Sequence, residues 1–409
     1  MAECTAPAAA GTNRAALQIE IVSDLALPAG AADAWNGLVD ASVYPNVFLR
    51  WEWVHTWWKW FGGRRELRVI RVTKGSELVA IVPLYVLADR SVVRFRPRTW
   101  SFLGFGGPTC PEYLGPIVHR DYVEPVVGAA ADYLGSPEAH WSAIVFPDAA
   151  PDDPGTTALV DALCRRFPSV SRNGEICPYL RLPESYESLL ARVSANRRKQ
   201  ERRRLRRVQR EFEVRLDVLE SPAEVEAFFP TLVQLNRSSR GRLGEVSPFA
   251  GRQYAGFHRE VIAKLLPESV ARLFVLRFDG NPVAFQYGFA FHGRYGYFQS
   301  GFDCRWAHWG PGGVLFQLVF QRLIEEGIRE FDFLRGDEAY KTHFADMTRR
   351  TTTTVVFRRG GAAYRARVAW ERAVRPLCEC IRQSVVAAVR RGSRRTADSG
   401  RESDPGGAD

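Results

Sequence analysis

The stretch YGYFQSGFDCRWAHWGPGGVLFQLVFQRLIEEGIREFDFLR, residues 295–335, contains a strand, a glycine-rich turn, an apolar helix and a second strand in that order. In the second strand Phe331 and Phe333 alternate with Asp332 and Leu334, which is the period of a strand whose two faces differ. The helix, VLFQLVFQRLIEEG, is apolar almost all round, which indicates that it is buried. This order of elements predicts an α/β fold.

The glycine-rich turn between the first strand and the helix has the composition of a phosphate-binding loop. Its glycines allow the backbone to approach an anion closely, and the unpaired N–H groups at the helix start point towards it. The residues expected to contact the anion are Arg305, Gly310, Gly312, Gly313 and Val314. A glycine–proline pair before a helix is also a common structural turn, so the sequence leaves both interpretations open.

Charged side chains follow the second strand, in the segment FDFLRGDEAYKTHF. They are Asp332, Arg335, Asp337, Glu338 and Lys341, with Tyr340 among them. A carboxylate on a half-buried strand has its pKa raised by burial, which suits it to proton removal. The alternative is a closed structural network, in which Asp332 pairs with Arg335 and Asp337 caps a short helix.

Size and cysteine content set limits on the kind of protein. With 409 residues, of which 46% are hydrophobic, the chain is long enough for two or three folded domains. The seven cysteines form no regular framework, so neither a disulfide scaffold nor a metal site is expected. No signal peptide and no apolar run of about 18 residues is recognised, and a cytoplasmic protein is therefore predicted.

The net charge of +10 is concentrated in one segment. RRKQERRRLRR, residues 197–207, holds eight basic residues and one glutamate, so it supplies seven of those ten charges. On a predicted helix over residues 185–212, Arg197 and Glu201 fall on an otherwise apolar stripe. The run is interpreted as a surface for a polyanionic acceptor or the anionic inner membrane surface, or as a simple solvated face. Nucleic acid is an unlikely partner, because no recognised nucleic-acid module accompanies the run.

The chain is predicted to contain two copies of one α/β unit. LRVIRVTKGSELVAIVPLYV (67–86) and RLFVLRFDGNPVAFQYGFAF (272–291) both have the pattern of a hairpin, and similar elements follow each of them. A coincidence of two unrelated hairpins is the alternative. The predicted organisation is a disordered N-terminus at 1–16, an N-terminal domain on the acceptor side at 17–183, a catalytic C-terminal domain at 184–360, a basic amphipathic helix at 361–391 and a disordered tail at 392–409.

The order of hairpin, third strand, glycine turn, buried helix, strand, short helix and strand resembles the core of the GNAT acyltransferases. NVFLRWEWVHTWWKWFGGRRELRVIRV, NRRKQERRRLRR and GIREFDFLRGDEAYKTHF are similar to the CelD/BcsL acyltransferases, which are associated with cellulose and other exopolysaccharide biosynthesis. These are tandem GNAT-like proteins related to the Fem aminoacyltransferases, and the resemblance spans about residues 43–358. The chain departs from that family at TCPEYLGP (109–116), where an aspartate-bearing segment is commoner.

The resemblance implies two tandem GNAT-like domains with mixed central sheets flanked by helices. It implies that acetyl-CoA, or another acyl-CoA, is held at the glycine turn, with the acyl group between the two strands that flank the buried helix. Asp332 or Glu338 would then be the general base, and Tyr340 the proton donor to the departing thiolate. The expected substrate contacts are Arg197, Arg335, Asp337 and Lys341.

By the same resemblance the product is an N- or O-acylated sugar or cell-envelope precursor, made in the cytoplasm or at the inner membrane surface beside polysaccharide synthesis machinery. Two alternatives remain open from the sequence. One is a Fem-like transfer of an aminoacyl group from aminoacyl-tRNA. The other is a non-catalytic scaffold of a polysaccharide synthesis complex.

Overall fold

The computed structural model of the protein describes residues 16–25, 30–87, 98–336 and 338–358, together with Ala369. The strands are β1 (Leu17–Val22), β2 (Leu67–Lys74), β3 (Glu77–Val86), β4 (Thr99–Phe102), β5 (Ile117–Val118), β6 (Ala143–Ala149), β7 (Ser169–Arg181), β8 (Val214–Leu219), β9 (Ala271–Phe278), β10 (Asn281–Phe291), β11 (Arg294–Phe302), β12 (Glu330–Asp332) and β13 (Met347–Phe357). The helices are α1 (Ala31–Ala41), α2 (Trp51–Trp57), α3 (Val123–Gly135), α4 (Pro154–Arg166), α5 (Tyr186–Ala191), α6 (Ala195–Glu211), α7 (Pro222–Arg242), α8 (Arg252–Leu265), α9 (Pro311–Glu325) and α10 (Ala339–Phe344).

A single mixed sheet runs through the described chain. Twelve strands follow one another in the order β1-β2-β3-β4-β6-β13-β7-β12-β11-β10-β9-β8, and β5 pairs with β3 beside this path. The pairs β4–β6 and β11–β12 are parallel, whereas the hairpins β2–β3 and β9–β10 are antiparallel. The mixed α/β class predicted from the sequence is therefore confirmed, with the two expected sheets joined into one.

The two halves of the chain exchange strands at the centre of this sheet. β7 belongs to the first half but pairs with β12 of the second, while β13 from the end of the second half pairs with β6 of the first. β7 and β13 also pair with each other over nine residue positions. The sheet is thus continuous across the predicted boundary at residue 183, and the division into two domains stays a prediction.

Aromatic residues from both halves form a common core. Trp53 of α2 contacts Phe257 of α8 at 5.0 Å and Phe289 of β10 at 5.5 Å between ring centroids. All three side chains are buried, and each stabilises the fold by about 1.5–3 kcal/mol through removal of apolar surface from water. The tryptophan-rich helix α2 therefore joins the first half of the chain to the second through their common core.

The two faces of the sheet near β11 are covered by different helices. On one face, Phe316 of α9 packs on Phe331 and Phe333, with ring centroids 6.1 and 5.9 Å apart. On the other face, His258 of α8 lies 5.1 Å from Phe298 of β11. These are called the α9 face and the α8 face below.

Some predicted boundaries differ from the structure. The helix predicted over residues 185–212 is two helices, α5 and α6, because the chain turns at residues 192–194 and the Ser194 hydroxyl accepts a hydrogen bond from the Arg197 N–H to start α6. The second strand, expected over residues 328–335, is paired over three residues in β12. The predicted segments 361–391 and 392–409 lie outside the described residues, apart from the helical Ala369. Among the described helices, none has the length and apolar character needed to span a bilayer.

Candidate functional site

Strands β11 and β12 separate shortly after they meet. They pair at three positions, Arg294 with Glu330, Tyr295 with Phe331 and Gly296 with Asp332. Beyond Gly296, residues 297–302 of β11 have no strand partner on this side in the described part of the chain. The two strands therefore open into a gap, called the splay below, at the carboxyl ends of parallel strands, where α/β proteins commonly bind ligands.

A β-bulge lies on β11 at the start of the splay. Gly288 of β10 pairs with Tyr297 and the preceding Tyr287 pairs with Gln299, so Phe298 is an extra residue. As a result Phe298 and Gln299 both project to the α8 face, where Gln299 donates a hydrogen bond to the Tyr254 hydroxyl at 3.0 Å. Bulges of this kind redirect side chains and leave backbone groups unpaired beside binding sites.

Helix α9 begins at the open end of β11. Gly310 has φ of 67° and precedes the helix in the left-handed region that favours glycine. The N–H groups of Gly313 and Val314 both bond to the Gly310 carbonyl, and Pro311 has no N–H. Among the first four positions of the described helix, the Gly312 N–H is therefore the donor left for a ligand, fewer than the sequence led us to expect.

An arginine from α6 lies over this glycine turn. A Cβ atom placed on Gly313 would stand 2.7 Å from Nη1 of Arg204. Glu201 holds that guanidinium at 2.6 Å, and the same buried carboxylate accepts a hydrogen bond from Gln317 of α9 at 2.8 Å. A cation beside the positive end of a helix is unfavourable alone, so a bound anion would relieve the repulsion. Arg204 was not among the predicted contacts.

The remaining predicted contacts of the turn have other roles. Arg305 is exposed and forms an ion pair with Asp303, with 2.6 Å between Nη2 and Oδ2, and this pairing raises the pKa of the guanidinium. The Val314 side chain is fully buried in the core beneath α9. The structure thus brings Gly310, Gly312 and Gly313 together with Arg204 rather than with Arg305.

Aromatic side chains fill the splay on the α9 face. Tyr297 and Phe316 lie beneath Tyr340 of α10, whose ring centroid is 6.4 and 6.1 Å from theirs. A hydrogen bond joins the hydroxyl groups of Tyr340 and Tyr297. Burial of the phenol, together with the nearby charge of Glu338, raises the pKa of Tyr340 well above its usual value. Because 42% of the Tyr340 surface is exposed, solvent limits this shift, and the phenol, which is protonated at neutral pH in any case, stands at the mouth of the splay.

Glu338 and Lys341 form an ion pair beside Tyr340. The distance between Oε2 of Glu338 and Nζ of Lys341 is 3.0 Å, and the glutamate side chain is 46% exposed. The lysine is buried and also donates to the Arg335 carbonyl. Lys341 therefore holds the segment between β12 and α10 in place. Asp337, also predicted here, lies outside the described residues.

Asp332 has a different position from the predicted one. It was expected to face the thioester, but Phe331 and Phe333 occupy the α9 face, and strand alternation directs Asp332 to the other side. There it is fully buried and accepts hydrogen bonds from the Tyr113 hydroxyl at 2.9 Å, from Arg349 at 3.0 Å and from the Leu334 N–H at 2.8 Å. Both carboxylate oxygens are occupied in this closed network.

The segment between β4 and β5, residues 103–116, supplies partners that sequence reasoning missed. In this junction loop, Glu112 accepts a hydrogen bond from Nε of Arg335 at 2.7 Å. Arg335 also contacts Asp148 at 3.2 Å, and so it links three segments rather than pairing with Asp332 as the sequence suggested. The only signal for this was the motif PEYLGP, which contains no recognisable catalytic pattern.

Backbone strain is concentrated around Arg335. Seven described non-glycine residues have positive φ, and three of them, Ser269, Asp279 and His292, stand at or beside turns. The other four surround Arg335 and are Cys110, Tyr113, Asp148 and Leu334. Such conformations cost about 1–3 kcal/mol each and cluster at functional sites.

Arg197 lines a separate cavity of about 380 Å³ on the α9 face. Its guanidinium lies 5.3 Å from the ring centroid of Phe344, one helical turn beyond Tyr340. Arg192 and Asp346 stand at the same cavity and form an ion pair at 3.7 Å. The predicted substrate contact at Arg197 is therefore near the splay but is not part of it.

Comparison with known proteins identifies the second half of the chain. Residues 195–342 match the family model described as an acetyltransferase (GNAT) domain. The matched range begins at the first residue of α6 and ends in α10, so it contains the glycine turn, the splay and Tyr340. The predicted GNAT domain is confirmed, while the finer assignment to the CelD/BcsL proteins stays a prediction.

Solved structures share the fold at low sequence identity. FemX is 11% identical with a TM-score of 0.57, over 79% of this chain and 95% of that chain. A conserved protein of unknown function from Bacteroides thetaiotaomicron is 12% identical with a TM-score of 0.51, over 83% of this chain and 100% of that chain. No curated protein sequence matches this chain.

Proposed function

We propose that this protein is a GNAT-type acyltransferase that moves an acyl group, such as acetyl, from acyl-CoA to an amino or hydroxyl group of a sugar or cell-envelope precursor. The observation that carries the proposal is the splay of β11 and β12 beside the start of α9, within the range that matches the GNAT domain. The nature of the acceptor rests on the sequence resemblance to the CelD/BcsL proteins.

The diphosphate of CoA would lie at the glycine turn. The Gly312 N–H and the positive end of the 15-residue helix α9 favour an anion there. Arg204, held by Glu201, would supply the charge that the single free N–H does not. The pantetheine arm would then enter the splay along the unpaired edge of β11.

Tyr340 would protonate the thiolate that leaves. A phenol is protonated at neutral pH, as a proton donor requires, and needs no shift of its pKa for this. Its position above Tyr297 and Phe316 puts the hydroxyl at the mouth of the splay.

A second candidate is transfer of an aminoacyl group from aminoacyl-tRNA, and one observation favours it. Six exposed cations on α6 make no ion pair with any described residue, and they are Lys199, Arg202, Arg203, Arg206, Arg207 and Arg210. An unpaired basic helix suits a polyanion such as RNA. A non-catalytic scaffold in a polysaccharide synthesis complex is the remaining possibility.

Binding of acetyl-CoA, measured by isothermal titration calorimetry, tests the proposal. A Cβ atom at Gly312 meets nothing within 4 Å, so Gly312→Val adds bulk at the turn without an internal clash. We expect this variant to bind acetyl-CoA at least about tenfold more weakly, a loss of about 1.4 kcal/mol. Gly128→Val in α3, where a Cβ atom also meets nothing within 4 Å, is the matched control and should bind normally.

The acceptor is then sought by mass spectrometry of a cell extract incubated with the protein and labelled acetyl-CoA. An acetylated sugar or envelope precursor supports the proposal. Transfer that is abolished by ribonuclease favours the aminoacyl-tRNA candidate. Absence of CoA binding by the wild-type protein contradicts the proposal and leaves the scaffold role.

A further inference from the structure

Glu112 of the junction loop is a buried carboxylate with one oxygen unpaired. The residue is 2% exposed, and Oε1 accepts the hydrogen bond from Arg335, but Oε2 has no hydrogen-bond partner among the described residues. Burial raises the pKa of this carboxyl group, and the charge of Arg335 opposes that shift only in part. A buried carboxylate oxygen without a hydrogen-bond partner destabilises the fold, which indicates that this oxygen has a functional role.

The junction loop around Glu112 reaches the point where the splay begins, because Tyr113 bonds to Asp332 and Asp332 is the last residue of β12 that pairs with β11. Tyr254, which accepts the hydrogen bond from Gln299 of the bulge, has its pKa raised by burial and by the charges of Cys110 and Glu112 nearby. Arg240 of α7 acts on the same Tyr254 and also on Tyr340 at the mouth of the splay. Glu112 precedes Tyr113 in the chain, so the hydrogen bond from Tyr113 to Asp332 places the loop on the side of the sheet opposite Tyr297 and Phe316.

Acyl transfer needs a base near the acceptor and an acid near the sulfur. The acceptor adds to the carbonyl carbon from one face of the planar thioester, and the sulfur leaves from the tetrahedral intermediate, so the two groups stand at different positions around that carbon. Tyr340 and Glu338 both stand at the mouth on the α9 side, where the sulfur would leave. Asp332 has both oxygens occupied. Glu112 is the carboxylate on the α8 side that has an unpaired oxygen.

We propose that Glu112 is the general base that receives the acceptor's proton, an inference that rests on the proposed acyl-CoA-dependent function. The acceptor nitrogen or oxygen forms a bond to the thioester carbonyl carbon while its proton passes to Oε2 of Glu112. The carbon–sulfur bond then breaks, its electron pair goes to sulfur, and the Tyr340 hydroxyl gives its proton to that thiolate. The products are the acylated acceptor and free CoA, and proton exchange with solvent restores both side chains.

The backbone of the junction loop is strained on both sides of Glu112, as is common at functional sites. Cys110 and Tyr113, on either side of Glu112, have φ of 45° and 60°. Arg335 and Asp148 fix the position of the loop from two other segments. The first half of the chain would thus contribute a catalytic residue to the site of the second half, which makes the site dependent on both halves.

The test uses Glu112→Gln, which keeps the size and a hydrogen-bond acceptor for Arg335. Release of CoA from acetyl-CoA is followed with ethanolamine, hydroxylamine or water as the acceptor, and acetyl-CoA binding is measured separately. With ethanolamine we expect kcat to fall by about 10²–10⁴-fold with unchanged acetyl-CoA affinity. The rate of the variant should recover as the pH rises towards the pKa of the amine, because hydroxide can then remove the proton that the variant side chain cannot accept. Hydroxylamine, whose weakly basic nitrogen gives up its proton more readily after attack, should show a much smaller loss.

Glu338→Gln is the matched comparison, because Glu338 is the other carboxylate beside the splay. We expect a smaller loss of kcat than in Glu112→Gln. Glu124→Gln, at an exposed carboxylate in the first turn of α3, is the control that should keep the wild-type activity. A Glu112→Gln variant that binds acetyl-CoA and turns over ethanolamine at the wild-type rate overturns the inference while leaving the proposed function intact. So does a large loss confined to Glu338→Gln. Wild-type protein that binds acetyl-CoA but releases CoA with none of the three acceptors overturns it as well, whereas failure to bind acetyl-CoA contradicts the proposed function itself.

Discussion

The Tyr113 hydroxyl donates a hydrogen bond to Oδ2 of Asp332 at 2.9 Å, across 219 positions of the chain. The bond joins the junction loop of the first half to the strand that begins the splay in the second half. Arg349 of the exchanged strand β13 donates to the same oxygen at 3.0 Å. The position of β12, and with it the splay, therefore depends on contacts between the two halves.

Replacing this buried phenol should destabilise the protein. Tyr113→Phe leaves the buried Asp332 carboxylate without one of its donors, and we expect the free energy of unfolding to fall by about 1–3 kcal/mol. The control is Tyr122→Phe, since Tyr122 donates to Glu77 at 3.2 Å on the exposed surface. This change should stay within about 0.5 kcal/mol, as is usual for surface substitutions. Urea unfolding measures both, and equal midpoints would show that the buried hydrogen bond has no net stabilising effect.

Removal of the Tyr340 hydroxyl should slow turnover without affecting folding. Tyr340→Phe is expected to lower kcat by about 10²–10⁴-fold, because the thiolate would leave unprotonated. The stability should change little, since the ring still packs on Phe316. With an acyl thioester of an acidic aromatic thiol, whose thiolate needs no proton to leave, the difference between variant and wild type should shrink. A loss of the same size with both thioesters would argue against a proton-donor role.

Removal of the Arg204 guanidinium should weaken binding of CoA. Arg204→Gln deletes the cation that Glu201 holds over the glycine turn at 2.6 Å. We expect the Kd of acetyl-CoA to rise by about tenfold, which is the loss of one charge-assisted contact of about 1.5 kcal/mol. Arg210→Gln, at the exposed end of the same helix, is the control for loss of a positive charge. Equal affinities for the two variants would remove Arg204 from the binding site.

Stability should depend on pH through His258. This histidine is fully buried, and burial lowers its pKa to about 3. The unfolded chain takes up a proton below its ordinary pKa of about 6.5, whereas the folded protein does not, so stability falls as the pH decreases from 6.5 towards 3. At pH 5 the loss due to His258 is about 2 kcal/mol relative to pH 7.5.

The variant His258→Gln isolates this contribution, because all other titrating groups are shared with the wild type. The free energy of unfolding of the variant should decrease less steeply between pH 7.5 and pH 5. It is measured by urea unfolding at each pH. Equal decreases in the free energy of unfolding of the two proteins would mean that His258 takes up its proton in the folded state as readily as in the unfolded state over this pH range.

The parts of the site that could be predicted are those determined by short-range patterns. The apolar helix after Gly313 and the alternation of Phe331 with Asp332 are visible in the sequence, and they led to the fold and to the turn. Tyr340 could be named only through the resemblance to the GNAT acyltransferases, since it stands at the start of the short helix that follows these elements. The GNAT domain match over residues 195–342 coincides with this part of the protein.

The parts that were missed depend on contacts between distant segments. The three donors to Asp332 come from the junction loop, from β13 and from the backbone two residues later. The direction of the Asp332 side chain therefore could not be predicted from the sequence around it. Glu112 and Arg335 are 223 positions apart, and no local sequence pattern marks Leu334 for its positive φ. Arg204 was counted within a basic run, although its partner Glu201 distinguishes it from its neighbours.

A crystal structure of the protein with bound CoA tests the central claim most directly. We predict that the diphosphate contacts the Gly312 N–H and the Arg204 guanidinium, and that the sulfur lies in the splay between the Tyr340 hydroxyl and the Glu112 carboxylate. CoA bound elsewhere on the protein, or in the splay with its sulfur pointing away from both side chains, would contradict the account.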